Sequence, residues 1–513
     1  MNKKLFYKCA FLLTICSGSL QAQTQIGSDI IGKKAGDLAG NTVSLSANGK
    51  ILAVGSPEFD TSGSNNRGQV ILYENKEGVW TQIGNELIGE ANSDKFGISI
   101  DLSNDGTIVA IGSSANRGIT GDINGIGHVR VYKNIDNVWT QIGTDIDGVA
   151  KGDNSGSSVS ISADGTVVAI GSPNSTNTNG TNAGMVRVFR NTSGTWTQVG
   201  ENILGESKYQ MCGNSVSLSA DGATVVIASR FAGPSEKGNV RIFKNSNDTW
   251  TQVGKTIIGK DGDWQSGFCI SMSADGNTIA LSSPYNDQTE TSLFKAGRVR
   301  VFHKIGENWV QLGPDFEADT ASGLMGYSLS ISANGRVLAM AAPWNSENGS
   351  NSGKISIFNY VNDTWNPCGN YIYGKGVNSY NGYSISLSAD GKTLAVGSPW
   401  SNVNTTNIGY ASVYDISEII SEDDSEIVIP ETLSSDKFVF ENFTVYPNPV
   451  KNDLFINLNS DLNLKEVNVF STTGQLIKTE KANQINMSTL SKGFYFIQVI
   501  TEQGNATKKI FVE

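Results

Sequence analysis

The stretch SLSADGKTLAVGSPW, residues 386–400, decides the fold because near-copies of it recur along the chain. SISADGTVVAIGSPN begins at Ser160 and SMSADGNTIALSSPY begins at Ser271. Every copy has a serine three residues before the glycine of its Asx-Gly pair, and a second glycine nine residues before it. Seven copies align on the first glycine, at spacings of 54–59 residues: Gly49, Gly106, Gly165, Gly222, Gly276, Gly335 and Gly391. Self-similarity at a fixed period predicts a repeat architecture.

Each copy predicts four antiparallel strands. In strand A (GYSISLS), apolar and small polar residues alternate, as in a strand with one buried face. The Asx-Gly pair predicts a hairpin turn to the apolar strand B (KTLAVGS). After a variable polar loop, strand C (GNVRIFKN) alternates again, and a short turn leads to strand D (TWTQVG). Six tryptophans recur in strand D, where we expect core packing: Trp80, Trp139, Trp196, Trp250, Trp309 and Trp365.

The ends of the repeat region favour a closed ring over an open solenoid. The seventh copy ends at strand C (GYASVYD, 409–415) and lacks strand D. The missing strand matches the N-terminal segment TQIGSDIIG (24–32), which resembles TQVGKTIIG (251–259). Closure of a ring by this segment removes two exposed sheet edges. The sequence therefore predicts an all-β fold, with a seven-bladed β-propeller over residues 23–415 that is closed by the N-terminal strand.

The composition limits the classes of function. Only 17% of the residues are charged and 57 are glycine, which is typical of a turn-rich, all-β chain. The formal net charge is −11, and residues 415–442 contain nine acidic residues against one lysine. This stretch predicts a solvated acidic linker over residues 416–442. The remaining charges are nearly balanced, so we expect no nucleic-acid partner.

Residues 1–22 have the features of a secretory signal peptide. Three lysines precede the apolar run CAFLLTIC, and the small polar segment SGSLQA ends near Ala22. Cys16 leaves a lipid-anchored form as an alternative, although the residue before it is not small. No transmembrane segment is expected in the mature chain. Its three cysteines, Cys212, Cys269 and Cys368, are an odd number and are expected to be buried rather than disulfide-bonded.

The repeat resembles the FG-GAP repeat of integrin-α-type propellers. Phe96-Gly97, Asp105-Gly106 and Gly112 occur in the order that this family uses, and SADGKTLAVGS also resembles a WD repeat. FG-GAP repeats often bind calcium in the A–B loop through an Asp-rich pattern. Here only the second copy keeps two acids of that pattern, Asp101 and Asp105, and an apolar residue replaces the last carboxylate. Because calcium needs several oxygen ligands, these two are weak metal candidates and we expect no cofactor.

Residues 443–513 resemble the C-terminal sorting domain of type IX secretion substrates. Strand patterns separated by polar turns predict a small Ig-like β-sandwich there. The residues that carry the resemblance are Tyr446, Pro447, Asn448, Pro449, Gly474, Gln475, Leu476, Gly493, Phe494, Tyr495, Lys508 and Lys509. The resemblance implies export across the inner membrane by the signal peptide and across the outer membrane by the type IX machinery. It also implies removal of the tail, so the protein is expected to be secreted or attached to the outer surface.

The sequence lacks a catalytic motif, so it predicts a protein that is not an enzyme. The only two histidines, His128 and His303, fall in strand C of different copies, where strand alternation accounts for them. Neither a nucleophile elbow nor a zinc-ligand spacing is present. A secreted polysaccharide-active enzyme with paired carboxylates is one alternative, and a purely structural surface protein is another.

The variable loops predict a binding or adhesion protein. In a propeller, the B–C and D–A loops share one face, and here they carry aromatic residues outside the repeat pattern. Tyr285, Trp344 and Trp400 occupy one shared position, whereas Phe231 and Trp264 fall elsewhere in these loops. Exposed aromatic rings suit stacking on sugars or docking on proteins, while packing of their own loops is the alternative. The predicted ligand is an extracellular glycan or protein.

Overall fold

The computed structural model describes residues 23–60, 66–117, 125–287, 293–403, 405–421, 427, 442–459, 462–471, 475–502 and 504–513. The predicted signal peptide, residues 1–22, and most of the predicted linker lie outside the described residues. The described chain divides into two compact units, and both are built from β-strands joined by turns. The all-β prediction is therefore confirmed.

The repeat region forms seven antiparallel sheets of five strands, numbered here 1 to 7 along the chain. The first strands (A) are Thr42–Leu45, Ser99–Leu102, Ser158–Ile161, Cys212–Leu218, Ile270–Met272, Ser328–Ile331 and Ser384–Leu387. The second strands (B) are Ile51–Ser56, Ile108–Ser113, Val167–Ser172, Thr224–Ser229, Thr278–Ser283, Val337–Ala342 and Thr393–Ser398. The third strands (C) are Gln69–Lys76, His128–Ile135, Met185–Thr192, Asn239–Ser246, Arg298–Ile305, Lys354–Val361 and Tyr410–Asp415.

Each third strand is followed by two short strands that both pair with it. The fourth strands (D) of sheets 1 to 6 are Val79–Gln82, Val138–Gln141, Thr195–Gln198, Thr249–Gln252, Asn308–Gln311 and Thr364–Pro367. The fifth strands are Leu87–Ile88, Ile146–Asp147, Ile203–Leu204, Ile257–Ile258, Phe316–Glu317 and Ile372–Tyr373. The fifth strand was not predicted, because two residues are too few to show a period. The described helices are two 3₁₀ turns, Pro234–Glu236 and Ser417–Ile419.

The core of this unit lies between the sheets. Strand B is buried on both faces, which is why it is apolar along its whole length. Side chains from neighbouring sheets share one core; Leu72 of sheet 1, for example, clusters with Ile100 and Ile111 of sheet 2. Strand A of each sheet contacts strand A of the next, and the series returns from sheet 7 to sheet 1. The predicted linker also contributes, because Ile416 is fully buried against sheets 6 and 7.

The N-terminal segment supplies the last two strands of sheet 7. Thr24–Gln25 and Ile30–Ile31 both pair antiparallel with Tyr410–Asp415, as the split repeat predicts. Between them, the Asp29 carboxylate accepts a hydrogen bond from Ser412 at 2.8 Å and pairs with Lys375 at 2.6 Å. The segment is therefore held by backbone pairing and by a partly buried ion pair.

A closed ring of backbone hydrogen bonds joins the seven A–B turns. In each turn, the residue after the repeat serine donates its N–H to the carbonyl of the same residue in the next sheet, at 2.8–2.9 Å. The members, in order, are Ala47, Asn104, Ala163, Ala220, Ala274, Ala333 and Ala389, and Ala389 donates back to Ala47. Six of the seven are alanine because the turns approach closely enough for backbone-to-backbone bonding.

The two repeat glycines allow this close approach. Gly106, in the A–B turn, has φ of 70°, and a Cβ there would lie 2.7 Å from Ile51 Cβ of the preceding sheet. Gly97, before strand A, has φ of 90°, and a Cβ there would lie 2.7 Å from Val70 Cγ2 of the same neighbour. Both positions therefore need glycine for its backbone conformation and for the space it leaves.

The repeat serine holds the A–B turn in place. Ser162 Oγ donates to Asp164 Oδ1 at 2.6 Å and accepts from the backbone N–H of Val167 at 2.9 Å. The same pair of bonds is present in all seven turns. The serine and the Asx residue are therefore retained for the geometry of the turn.

The strand D tryptophans connect neighbouring sheets. The indole N–H of Trp139 donates to the carbonyl of Ile83 in the preceding sheet at 3.1 Å, and its side chain is buried. Trp196 and Trp250 make the equivalent bond in their sheets. In sheet 1, Trp80 uses the carbonyl of Ile26 in the N-terminal segment, at 3.0 Å. These residues are part of the packing between sheets, as the sequence predicts.

The C-terminal unit contains two sheets that share one core. One sheet has the strands Phe443–Tyr446, Asp453–Leu458 and Gln484–Asn486. The other has the strands Leu476–Glu480, Leu464–Ser471, Gly493–Thr501 and Gly504–Val512. Leu454 and Ile485 of the first sheet pack with Val467 and Val499 of the second, and all four are fully buried.

Deleting residues 24–32 should unfold sheet 7 and expose the edge of Tyr410–Asp415. The variant loses backbone pairing, the burial of Ile30 and the acceptor of Trp80. We expect calorimetry to show a melting temperature lower by roughly 10 °C or more, with aggregation after the transition. The matched control is Asp29→Asn, which keeps both strands and should have a much smaller effect. A deletion variant that melts like the parent would contradict closure by this segment.

Candidate functional site

Four consecutive sheets carry an aromatic residue at the same position of the B–C loop, two residues after strand B. These residues are Phe231, Tyr285, Trp344 and Trp400 in sheets 4 to 7. Phe231 belongs to this set by the register of strand B and by its offset of nine residues from the repeat glycine Gly222. A pattern that requires a proline before the aromatic residue misses it, because Arg230 stands there. Sheets 1 to 3 have Glu58, Ala115 and Asn174 instead.

A second set of aromatic residues lies beside the first. Phe268, Tyr327 and Tyr383 follow the glycine that precedes strand A in sheets 5 to 7. The corresponding residues of sheets 1 to 4 are Asn41, Ile98, Ser157 and Asn214. One half of this face is therefore aromatic, whereas the other half is mostly small or polar. The sequence contains this signal as aromatic residues after the repeat glycine, confined to three copies.

The two sets pack into one continuous cluster, here called the aromatic patch. It consists of Phe268, Tyr285, Tyr327, Trp344, Tyr380, Tyr383 and Trp400, all partly exposed. Ring centroids lie 5.8 Å apart for Phe268 and Tyr285, 4.8 Å for Tyr327 and Trp344, and 4.6 Å for Tyr383 and Trp400. Tyr380 contacts both tryptophans, at 5.3 and 5.2 Å. The patch spans three sheets.

Two phenol hydroxyls meet inside the patch. Tyr327 Oη donates to Tyr383 Oη at 3.0 Å. Burial raises the pKa of both phenols, so both stay protonated at neutral pH. Since one proton is used between them, the hydroxyl of Tyr383 keeps a proton that it can donate to a ligand. The patch thus combines apolar ring faces with a directed hydrogen-bond donor.

Arg230 and Phe231 lie at one end of the patch. The guanidinium Cζ of Arg230 is 5.0 Å from the centroid of Phe231 and 5.9 Å from that of Phe268. Trp264 is 45% exposed and makes no ring contact among those found in the described residues. Four of the five predicted ligand-binding residues therefore belong to the patch or to its end, and Trp264 has no ring contact with it.

Asp101 occupies a position where the other six sheets have serine in strand A. One carboxylate oxygen accepts from the backbone N–H of Ile161 in sheet 3 at 2.8 Å and from Ser160 Oγ at 3.2 Å. The other accepts from the N–H of Leu102 at 3.0 Å and from Ser44 Oγ of sheet 1 at 3.5 Å. Burial raises the pKa of Asp101, and this effect outweighs the hydrogen bonds, which lower it. The resulting pKa is about 6.

Asp105, the other weak metal candidate, lies in the A–B turn of the same sheet. Its Oδ1 accepts from Ser103 Oγ at 2.7 Å and from the N–H of Thr107 at 2.9 Å, and its Oδ2 accepts from Thr107 Oγ1 at 2.8 Å. Partial burial raises its pKa, but these hydrogen bonds outweigh it and the net shift is downward. Turn geometry therefore accounts for both of its oxygens.

Glu90, His128 and Asp145 form the one group of ligand-type side chains found close together in the described residues. The Arg130 guanidinium donates to both oxygens of Asp145 at 3.0 Å and also pairs with Glu90. Burial lowers the pKa of His128, although Asp145 and Asp94 act in the opposite direction. The Arg130 guanidinium already pairs with Glu90 and Asp145, so these residues do not fit a metal cation as well.

The predicted sorting residues converge from the two ends of the C-terminal unit. Asn448 Oδ1 accepts from the N–H of Phe511 at 2.9 Å, which places the segment of Tyr446, Pro447 and Pro449 beside the last strand. Tyr446 is 52% exposed.

The terminal lysines lie against aromatic rings. Lys508 Nζ is 4.4 Å from the centroid of Phe443, and Lys509 Nζ is 3.9 Å from that of Phe494. Gly493 pairs with Val512, which brings it to the same strand ladder. Gly474 lies outside the described residues.

Residues 444–513 match the family described as the secretion system C-terminal sorting domain. The predicted sorting domain is therefore confirmed, and the protein is exported by the type IX system to the cell surface or the medium, with cleavage of the tail. No curated protein is similar to the chain. No helix among the described residues is long and apolar enough to cross a membrane.

Solved structures with a similar arrangement of sheets include two lactonase-type proteins. The periplasmic gluconolactonase of Pseudomonas aeruginosa has 14% identity and a TM-score of 0.45, over 66% of this chain and 85% of that chain. A Bacteroides uniformis protein, provisionally described as a 6-phosphogluconolactonase, has 13% identity and a TM-score of 0.45, over 65% and 85%. At this level the similarity concerns a propeller-like β architecture.

The comparisons contradict the prediction that the chain is not an enzyme, since both of these structures bear the names of enzymes. It rested on the absence of local catalytic motifs. The absence of local motifs was a weak basis for it, because catalytic groups can come from loops that are far apart in the sequence.

Asp101→Ser should change how stability depends on pH. The folded pKa of about 6 lies above the ordinary 3.8, so the folded state binds this proton more tightly than the unfolded state. The stability from Asp101 is fully present below pH 3.8 and is lost as the pH rises through 6. Between pH 4 and 7 the parent should lose on the order of 1–3 kcal/mol relative to the variant in urea unfolding.

Asp105→Asn is the matched control in the same sheet. Because the pKa of Asp105 is lowered in the folded protein, its contribution is present at neutral pH and is lost on acidification, so the sign is opposite. Parallel pH profiles for the parent and Asp101→Ser would contradict the assignment.

Proposed function

We propose that this exported protein binds glycans outside the cell through its aromatic patch. The observation that carries the proposal is that, at two equivalent loop positions, partly exposed aromatic residues occur only in sheets 4 to 7, on a frame that is otherwise repeated. Packing of loops alone would apply equally to all seven sheets. A patch on one side of the face instead suits an asymmetric ligand.

The chemistry of the patch fits a sugar chain. Sugar rings present C–H groups on their faces and hydroxyls on their edges, so they need flat apolar rings with hydrogen-bonding groups nearby. The patch offers Trp344 and Trp400 as the largest rings and the paired hydroxyls of Tyr327 and Tyr383 as hydrogen-bonding groups. The equivalent loops of sheets 1 to 3 add amide side chains such as that of Asn174, whose Nδ2 donates to Asn154 Oδ1 at 2.7 Å. A protein ligand would require a broader apolar surface.

We also propose the finer architecture that supports this site. The seven sheets form a closed seven-bladed propeller of FG-GAP-like repeats, and the tail is an Ig-like sandwich. The cyclic series of backbone hydrogen bonds, Ala47 to Ala389 and back, supports the first. The shared core of the two C-terminal sheets supports the second. In such a propeller, all B–C loops lie on one face, which is where the patch requires them.

Trp344→Ala and Trp400→Ala should each weaken glycan binding. The ligand is first identified on a glycan array, and affinities are then measured by isothermal titration calorimetry. Losing one stacking ring should raise Kd by about 5- to 30-fold. Because these rings also pack against Tyr327, Tyr380 and Tyr383, we expect a moderate decrease in melting temperature as well.

Trp250→Ala is the matched control, since it removes a partly buried strand D indole that bonds to Val199 in the preceding sheet. It should lower the melting temperature without changing Kd. If the parent binds no glycan, and the patch variants only lose stability, the rings serve loop packing and the proposal is wrong.

Removing residues 443–513 should stop export at the periplasm. The repeat unit has its own core, so it should remain folded there and resist protease. Fractionation with immunoblotting measures the result, and a second type IX substrate in the same cells shows that the machinery is intact. Normal amounts of the truncated protein at the surface or in the medium would contradict the role of the tail.

A further inference from the structure

We propose that the glycan is acidic, and that Arg230 binds the carboxylate of a hexuronic acid residue at the end of the aromatic patch. This inference rests on the proposed glycan-binding function and specifies its ligand class. The observation behind it is a partly buried arginine that lacks an anionic partner within the protein.

Arg230 lies in the B–C loop of sheet 4, and it differs from most of the buried arginines of strand C. Arg187 also has no carboxylate partner among the ion pairs of the described residues, but its guanidinium donates to the carbonyl of Asp147 at 2.5 Å. Arg130 and Arg298 each lie 3.0 Å from an aspartate, and Arg241 and Arg300 each lie 3.4 Å from a carboxylate. None of the ion pairs of the described residues includes Arg230. Its guanidinium has only the Sδ atom of Met211 as a polar contact, at 3.4 Å, and its Nε is buried without an acceptor.

The surroundings of Arg230 favour a ligand as the source of its missing anionic partner. A guanidinium that loses water without gaining an anion is unfavourable for folding, and an anionic ligand would offset that cost. The guanidinium Cζ lies 5.0 Å from the centroid of Phe231 and 5.9 Å from that of Phe268, so the cation is next to two aromatic rings. Phe268 in turn contacts Tyr327 of the patch at 5.0 Å.

This geometry fits a sugar with a carboxylate better than a neutral sugar. A pyranose stacked on the patch near Phe268 would have a substituent on its ring edge within reach of the guanidinium. A planar carboxylate matches the two parallel N–H groups of arginine. Lys295, whose Nζ is 5.9 Å from the ring of Tyr285, adds a second positive charge at this end. The nearby Asp287 accepts from the backbone N–H of Lys295 at 2.8 Å.

The test uses the full-length chain and calorimetry with oligomers of galacturonate, guluronate and glucuronate, together with the methyl ester of the galacturonate oligomer. The ester keeps the same sugar and removes only the charge. We expect the parent to prefer an acid form over its uncharged counterpart. Arg230→Gln should weaken binding of the acid by about 10- to 100-fold and leave the ester unchanged. Arg230→Lys keeps the charge but lacks the two parallel N–H donors of the guanidinium. It should bind the acid with an affinity between those of the parent and of Arg230→Gln.

Lys244→Gln is the matched control, because Lys244 is exposed at the far end of strand C of the same sheet. It should leave both affinities unchanged. Equal binding of the acid and the ester, or an unchanged acid affinity in Arg230→Gln, would overturn the inference while glycan binding stands. Binding of a sulfated carrageenan but of no uronate would also overturn it. If the parent binds no glycan of any kind, the proposed function itself fails.

Discussion

Seven backbone hydrogen bonds, each from one A–B turn to the next, are the constraint on which the repeat unit depends. They require seven turns of the same shape, each at the same short distance from the next. The shape comes from the serine that bonds both the Asx side chain and strand B, and the distance requires small residues. This explains why alanine, serine and two glycines recur in each copy, whereas the loops at the other end of the strands vary freely.

The seven copies differ from one another mainly in the sequences of those loops. Three copies place glutamate, alanine or asparagine two residues after strand B, and four place an aromatic ring there. The aromatic copies are adjacent in sequence and therefore adjacent in space, so a single surface forms. Arg230 belongs to sheet 4, which is next to sheet 3. It therefore lies where the copies with an aromatic residue at this position meet the copies without one. A repeated frame thus carries an aromatic patch on only some of its sheets.

The repeat made much of the fold predictable, and its irregular positions limited the rest. The glycines and the split seventh copy indicated the strands and the partner of the N-terminal segment, and YPNP with the terminal lysines indicated the sorting domain. Phe231 lies nine residues after its repeat glycine, as Tyr285 does, so the alignment itself places it in the same set, and only the search for a preceding proline passed over it. Phe268, Tyr327 and Tyr383 were missed because a residue beside strand A looks like core until its packing is seen. The absence of local motifs was a weak basis for excluding catalysis, because catalytic groups can come from loops that are far apart in the sequence.

The pairing of Thr24 with Asp415 joins positions that are almost the whole unit apart in sequence. A contact of such high order is formed late in folding, because the intervening chain must be ordered before its ends can meet. Until then, the last sheet presents an open edge to other strands. Once paired, the segment covers the edge of Tyr410–Asp415, so the last sheet no longer offers that edge to strands of other chains.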